Sequence, residues 1–499
     1  MTDPSIDALR AAAEALMEDV SRVLWQASAG LGDASELDAA YARHPLPLDR
    51  DSWALVRPFV DDPALRPLAE WVAETQVARA TATHEARELE WERGAVVRAD
   101  DGRVVEYGAV TIALANARDR RERLALDAAR ARVVGAELAP LRRERLARER
   151  DALLALEVAG DAASTLGRLA GVDVGALDAA CAALLADTQA MWDDVLPAFA
   201  RRRLDVAARE LTRADALALS RAPEFDAWFP AGGMVATVRT QLGAMGLDPD
   251  AGGRVRPDVG ERPGKRARAF CAPVRVPHEV HLVVRPGGGA GDWRVYLHEM
   301  GHALHFAHMD AALPFEARWA GDNSVTEGYA MLFDHLLHDR GWLVRYLGMD
   351  RARADAYRRS AAFDELHLLR RYAGKLRYEL ALHGGDVPWD ALPGLYADTL
   401  RAATGFAYRP EDALVDVDPR LYAMRYLRAW PLEARLAGAL RERFDEDWWR
   451  NPRAGPWLAQ EGFAAGQREP AEALVARLAG GEATLAFAPV VRGLEAALA

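Results

Sequence analysis

Cysteine is nearly missing from this 499-residue chain: only Cys181 and Cys271 occur, far apart. Two distant thiols build no disulfide framework and suit a reducing compartment, so a cytoplasmic location is expected. Long apolar runs are missing as well. None approaches the roughly 20 residues needed to span a bilayer, and residues 1–7 carry acid and no apolar core, unlike a secretory signal. There is no excess of positive charge either. The 63 Lys and Arg against 75 Asp and Glu give a net charge of −12, so neither a nucleic acid nor a membrane is an expected partner. Internal repeats and low-complexity linkers are absent, which sets aside solenoids and tethered modules. What remains, 51% hydrophobic and 28% charged residues, is the balance of a folded globular protein.

Most of the chain reads as helix. Ile6, Leu9, Ala13, Leu16, Val20 and Val23 recur at helical spacing over 5–28. Further helical patterns cover 65–91, 175–200, 205–220, 234–247, 351–383, 389–404 and 421–440. An Asp101-Gly102 turn between β-branched runs predicts a small hairpin. Residues 110–158 crowd arginines among glutamates. They read as two long helices broken near Pro140, with solvated faces laced by i,i+4 pairs rather than an anion-binding stripe. Residues 248–264 read as loop, and 267–276 and 280–284 as strands. The Gly-rich run after them lacks the Lys-Ser/Thr of a phosphate-binding loop and reads as a connection. Strand content is small and the expected architecture is mainly α.

The chemistry concentrates in Leu297-His298-Glu299-Met300-Gly301-His302-Ala303-Leu304-His305, on a helix expected over 295–309. His298 and His302 stand four residues apart, on one helical face. Two imidazoles so placed reach one zinc ion at about 2.0–2.1 Å. Glu299 projects beside that ion, where it can take a proton from the attacking water. Asp292 near the helix start suits the free amides and the dipole there. A second helix, expected from 324 to about 338, places Glu327 25 residues beyond His302. Two histidines and a glutamate leave the open fourth position of a catalytic zinc site. One Zn²⁺ per chain, held by His298, His302 and Glu327, is therefore expected. Asp334, two turns past Glu327, is placed to orient a ligand. His305 as a fourth ligand would close the site, so a packed role is expected. His308, His335 and His338 read as structural histidines.

These segments resemble the thimet oligopeptidase / oligoendopeptidase F family of zinc metallopeptidases. The likeness extends upstream through 265–273 and 277–284. Motifs carry it over about 230–440, and helical character alone carries it elsewhere. The resemblance implies a two-lobed helical metallopeptidase fold with a deep central channel and a small β-sheet beside the zinc helix. An N-terminal helical lobe would cover 1–229 and the catalytic domain 230–499, the two intertwined. It implies cleavage of internal bonds in short unstructured peptides, with Glu299 as general base. Tyr426, and after it Tyr422, would donate to the oxyanion, and His278 to a substrate carbonyl. One departure stands out. The family carries a histidine just before or at the start of the tyrosine segment, and here none follows His383. Arg420 or Arg425 is the available cation. A channelled carboxypeptidase or dipeptidase, or a peptide-binding relative without turnover, are the rival readings.

Overall fold

The computed structural model describes residues 5–499, so the first four of the residues read for a signal lie outside it. The described chain is mainly α-helical, with one two-stranded and one three-stranded sheet. It divides into two compact units, each gathered from separate stretches. The first comprises Met1–Val72, Pro223–Arg358 and Arg428–Arg492; the second comprises Ala73–Ala222, Arg359–Leu427 and Gly493–Ala499. No single described helix is long and apolar enough to cross a membrane.

The first unit opens with α1 (Ile6–Ser28), whose N-terminus is capped by Ser5 accepting from the Ala8 N–H. Its buried residues are Leu9, Ala13, Leu16, Val20 and Val23, the stripe expected from sequence. The three-stranded sheet consists of β1 (Val255–Asp258), β2 (Phe270–Arg275) and β3 (Glu279–Val283). Its order is β1-β3-β2, with β1 parallel and β2 antiparallel to β3. β1 lies inside the segment expected to be loop. Its Val-Arg-Pro-Asp sequence looks like turn material, yet an edge strand tolerates Pro257 because a missing N–H can face away from the ladder. β3, in the centre, is buried at every position.

The buried polar residues of β3 are all accounted for. His281 stacks on Trp25 of α1, ring centroids 3.6 Å apart, and its Nε2 lies 3.0 Å from Glu279 Oε1. Arg22 of α1 donates to both oxygens of Glu279 at 3.1 Å, and Arg256 of β1 reaches the same carboxylate. Burial alone would raise the Glu279 pKa. The hydrogen bonds from Arg22 and His281, with the charges of Arg22 and Arg256, outweigh burial and hold it at about 2.

Two further helices complete the frame: α2 (Ala290–His308) and α4 (Asn323–Asp334), with the short α3 (Phe315–Trp319) between them. α2 begins five residues earlier than expected, because the Gly-rich run ends at Gly289 and Asp292 falls in the first turn. There the Asp292 carboxylate accepts from the Gly287 N–H at 2.7 Å. α4 ends at Asp334, and the expected continuation to His338 is a 3-10 turn. α3 is tied to α1: Arg318 pairs with Glu14 and donates to the Val276 carbonyl, and Arg10 pairs with Glu316.

In the second unit the expected hairpin forms, Val96–Arg98 against Val104–Glu106. Its Val97 packs with Val110, Leu114, Leu126 and Ala214. The arginine-rich stretch corrects the expectation of solvated faces. Arg123 and Arg145 are buried and pair with Asp215 and Glu88, residues distant in sequence, while Arg145–Glu149 is an i,i+4 pair. The break expected near Pro140 is present: the α-helices Arg120–Val133 and Ala139–Leu154 are separated by the π-helical turn Val134–Leu138, and Pro140 sits in the first turn of the second, where a missing N–H is tolerated. The expected helix over 205–220 starts only at Arg213. Thr212 and Asp215 form a capping box, and Asp205 is left-handed.

The Glu279 network yields a sign-definite prediction. An unfolded glutamate titrates near 4.3, so this stabilisation is complete above that pH and is lost as pH falls toward 2. Urea unfolding of Glu279→Gln near neutral pH is expected to show a loss on the order of 2–3 kcal/mol. The gap from wild type should close in acid; a pH-independent gap would assign the loss to packing instead of charge.

Candidate metal centre

His298 and His302 occupy one face of α2, and Glu327 faces them from α4. Their ligand atoms all lie within 4.8 Å of one another. His298 Nε2 is 3.4 Å from Glu327 Oε2, and His302 Nε2 is 3.7 Å from the same oxygen. Ligand atoms about 2.0–2.1 Å from a tetrahedral ion stand roughly 3.3–3.4 Å apart. The three donors therefore fit a small divalent ion in type, number and spacing.

Both imidazoles are held from behind. His298 Nδ1 lies 2.9 Å from Asp334 Oδ2, at the end of α4. His302 Nδ1 lies 2.8 Å from Thr326 Oγ1, one residue before Glu327. With Nδ1–H donating to these oxygens, each Nε2 presents its lone pair to the same point. On His298 an arriving ion must first displace a proton from Nε2, because this ring is charged without one. Burial works against charge on His298, yet its contacts with Asp334 and Glu327 outweigh burial and raise its pKa to about 10. Burial pushes His302 down. Burial would raise Asp334, but the His298 hydrogen bond and the nearby His335 charge hold it at about 2.

Glycine makes the geometry possible. A Cβ on Gly301 would lie 2.7 Å from Ala330 Cα and 2.9 Å from the Tyr329 carbonyl oxygen. Gly301 therefore lets α2 and α4 pack backbone to backbone at the turn that carries both histidines. Glu299 is half-buried beside the cluster. Its Oε2 accepts from the Cys271 N–H of β2 at 2.9 Å, which fixes the carboxylate without using it as a ligand.

His278 is exposed in the turn between β2 and β3. That turn follows Arg275, four residues along β2 from Cys271, or roughly 13 Å at the rise of a strand. Tyr422 and Tyr426 belong to the second unit. Their rings are 5.1 Å apart, and Tyr372 adds a third ring 5.2 Å from Tyr426. Arg420 just before them has φ +50°, a left-handed conformation, and Arg425 is buried. His305 is fully buried against Tyr329 and Phe463, and burial pushes its pKa down to about 3. Sequence reasoning passed over Thr326 and the Cys271 N–H. The hydroxyl beside Glu327 was the visible signal for the first; a backbone donor leaves none.

No protein-family model matches this chain, and no curated protein is significantly similar to it.

Gly301→Ala tests the packing. Overpacking at this contact is expected to cost about 1–3 kcal/mol and to weaken zinc binding by spreading the ligands. Gly243→Ala, where nothing lies within 4 Å of the added Cβ, should leave both unchanged. Chemical unfolding and zinc titration of the two variants would separate the outcomes; equal zinc affinities would show that the close approach does not set the ligand spacing.

Proposed function

We propose that this chain is a zinc metallopeptidase that hydrolyses internal bonds of short, unstructured peptides in the cytoplasm, and that it is a relative of the thimet oligopeptidase / oligoendopeptidase F proteins. One observation carries the reading: His298, His302 and Glu327 converge at the spacing of a tetrahedral ion's ligands, with the Glu299 carboxylate beside them. Zinc, when bound, supplies a Lewis acid that polarises a carbonyl oxygen and makes water more acidic. His298, His302 and Glu327 hold the ion and leave a position open. Glu299 completes no ligand set, which frees it for proton transfer. The Cys271 N–H fixes its Oε2, and Oε1 takes the proton of the attacking water and returns it to the leaving nitrogen.

The sheet supports a peptide substrate. β2 is an edge strand and its Cys271 is the residue that touches Glu299. An edge offers backbone N–H and C=O groups to an extended chain, which an unstructured peptide can pair with and a folded protein cannot.

The test is cleavage of quenched fluorescent peptides, free and blocked at each end. Internal cleavage that survives end-blocking and stops with a chelator is expected. Glu299→Gln should lower kcat/KM by about 10²–10⁴-fold while zinc still binds stoichiometrically. Cleavage that requires a free C-terminus would replace this reading with a carboxypeptidase. Stoichiometric zinc with no peptide cut would leave a binding protein. Tyr426→Phe separately tests the oxyanion role that the resemblance gives it, with a fall in kcat of about 10²-fold expected at little change in KM.

A further inference from the structure

His335 directly follows Asp334, the residue behind His298. Its Nε2 lies 3.5 Å from Asp334 Oδ1, and its Nδ1 lies 3.0 Å from Glu433 Oε2. Asp334 Oδ2 meets His298 Nδ1 at 2.9 Å. Four side chains, Glu433, His335, Asp334 and His298, thus stand in file and end at the His298 Nε2 that faces Glu327. Asp334 is 4% exposed and Glu433 8%, so water competes little for these contacts.

The arrangement constrains a degree of freedom. A carboxylate held by one oxygen can still rotate about its Cβ–Cγ bond, swinging that oxygen away from the imidazole. His335 Nε2 makes no hydrogen bond to Oδ1, but as an ion-pair partner 3.5 Å away it opposes that rotation and keeps Oδ2 on His298. The His335 ring is itself fixed twice: Glu433 meets its Nδ1, and His338 stacks on its face at 4.7 Å and 21°. Glu433 comes from a separate helix, α5 (Ala423–Phe444). The neighbouring Leu432 sits so close to α4 that a Cβ on Gly328 would lie 2.6 Å from its Cδ2. α5 is therefore seated against the residue next to Glu327, and Glu433 has little room to move.

We propose that His335 and Glu433 are positioning residues of the metal centre, which set its affinity for zinc by locking Asp334 behind His298. The proposal rests on the metal-centre reading above. It differs from a plain structural tie between α4 and α5, which would change folding stability and leave ion affinity alone.

The experiment measures zinc affinity of the full chain by competition with a chromophoric chelator, and the absorption spectrum of the cobalt-loaded protein. Asp334→Asn is the benchmark, expected to weaken zinc binding by about 10–100-fold. Glu433→Gln and His335→Phe should each weaken it by about three- to tenfold and shift the cobalt bands. His335→Gln, which keeps a polar side chain but removes the charge beside Asp334, should recover none of the loss. Melting of each metal-free variant registers any purely structural effect, and three substitutions at two sites guard against one that fails to fold. Affinities within about twofold of wild type at both sites, with Asp334→Asn impaired, would overturn the relay and leave the metal centre standing. A wild-type chain that binds no zinc would overturn both.

Discussion

The close approach of α2 and α4 at Gly301 is the constraint on which the rest of the metal cluster depends. Packed helices usually stand 8–10 Å apart, with side chains between them. Here the turn carrying His298 and His302 meets the backbone of Ala330 and Tyr329 directly at Gly301, with the Phe333 ring closing the side of the contact. Glutamate is short, and a ligand set that is out of place by 1 Å no longer suits a small ion. The glycine inside the histidine motif thus acts at the level of packing, and its result is read at the level of coordination.

That packing is held by the sheet and by α1. β3 runs through the centre with Glu279 and His281 buried, an arrangement that desolvates charge. The cost is met by Arg22, Arg256 and the Trp25 ring. Removing one partner of a buried ion pair leaves an uncompensated charge and destabilises the fold, so the network ties β3 to α1 and β1 in one register. Register matters here because β2, one strand away, supplies the N–H that holds Glu299. A slip by one residue would turn that donor to the opposite side. Arg318 works in the same direction, joining the α3 link between the two ligand helices to Glu14 of α1.

The parts of this structure that were legible in the sequence follow from local periodicity. The apolar stripe of α1, the histidine spacing on α2 and the Asp-Gly hairpin all express themselves within a few residues. Glu327 was legible because a second helical pattern stood at a plausible distance, and Asp334 because it lay on that same helix. What was not legible depends on partners far along the chain. β1 becomes a strand only because β3 offers it a ladder, so its Val255-Arg256-Pro257-Asp258 carries no β signature of its own. Arg123 and Arg145 looked like surface residues. Their acceptors, Asp215 and Glu88, lie 92 and 57 positions away, out of reach of any i,i+4 reasoning. The late start of the helix at Arg213 reflects the Thr212–Asp215 capping box outweighing helical composition upstream. The break after Asp187 in the expected 175–200 helix has no comparable signal in the chain.

Three histidines on α2 meet three different fates, and the difference lies in the partner of each ring. His298 has a carboxylate behind it and His302 a hydroxyl; each partner occupies Nδ1 and so turns Nε2 toward Glu327. His305, only three residues further on, meets Tyr329 and Phe463 instead, and burial holds it neutral. All three partners on α4 belong to one helix: Thr326, Tyr329 and Asp334. Sliding α4 by one residue against α2 would move the polar partners off both ligand histidines at once. Spacing along α2 thus determines which histidines share a face. The register of α4 determines which of them can serve as ligands, and Gly301 with Gly328 lets that register be held tightly enough to matter.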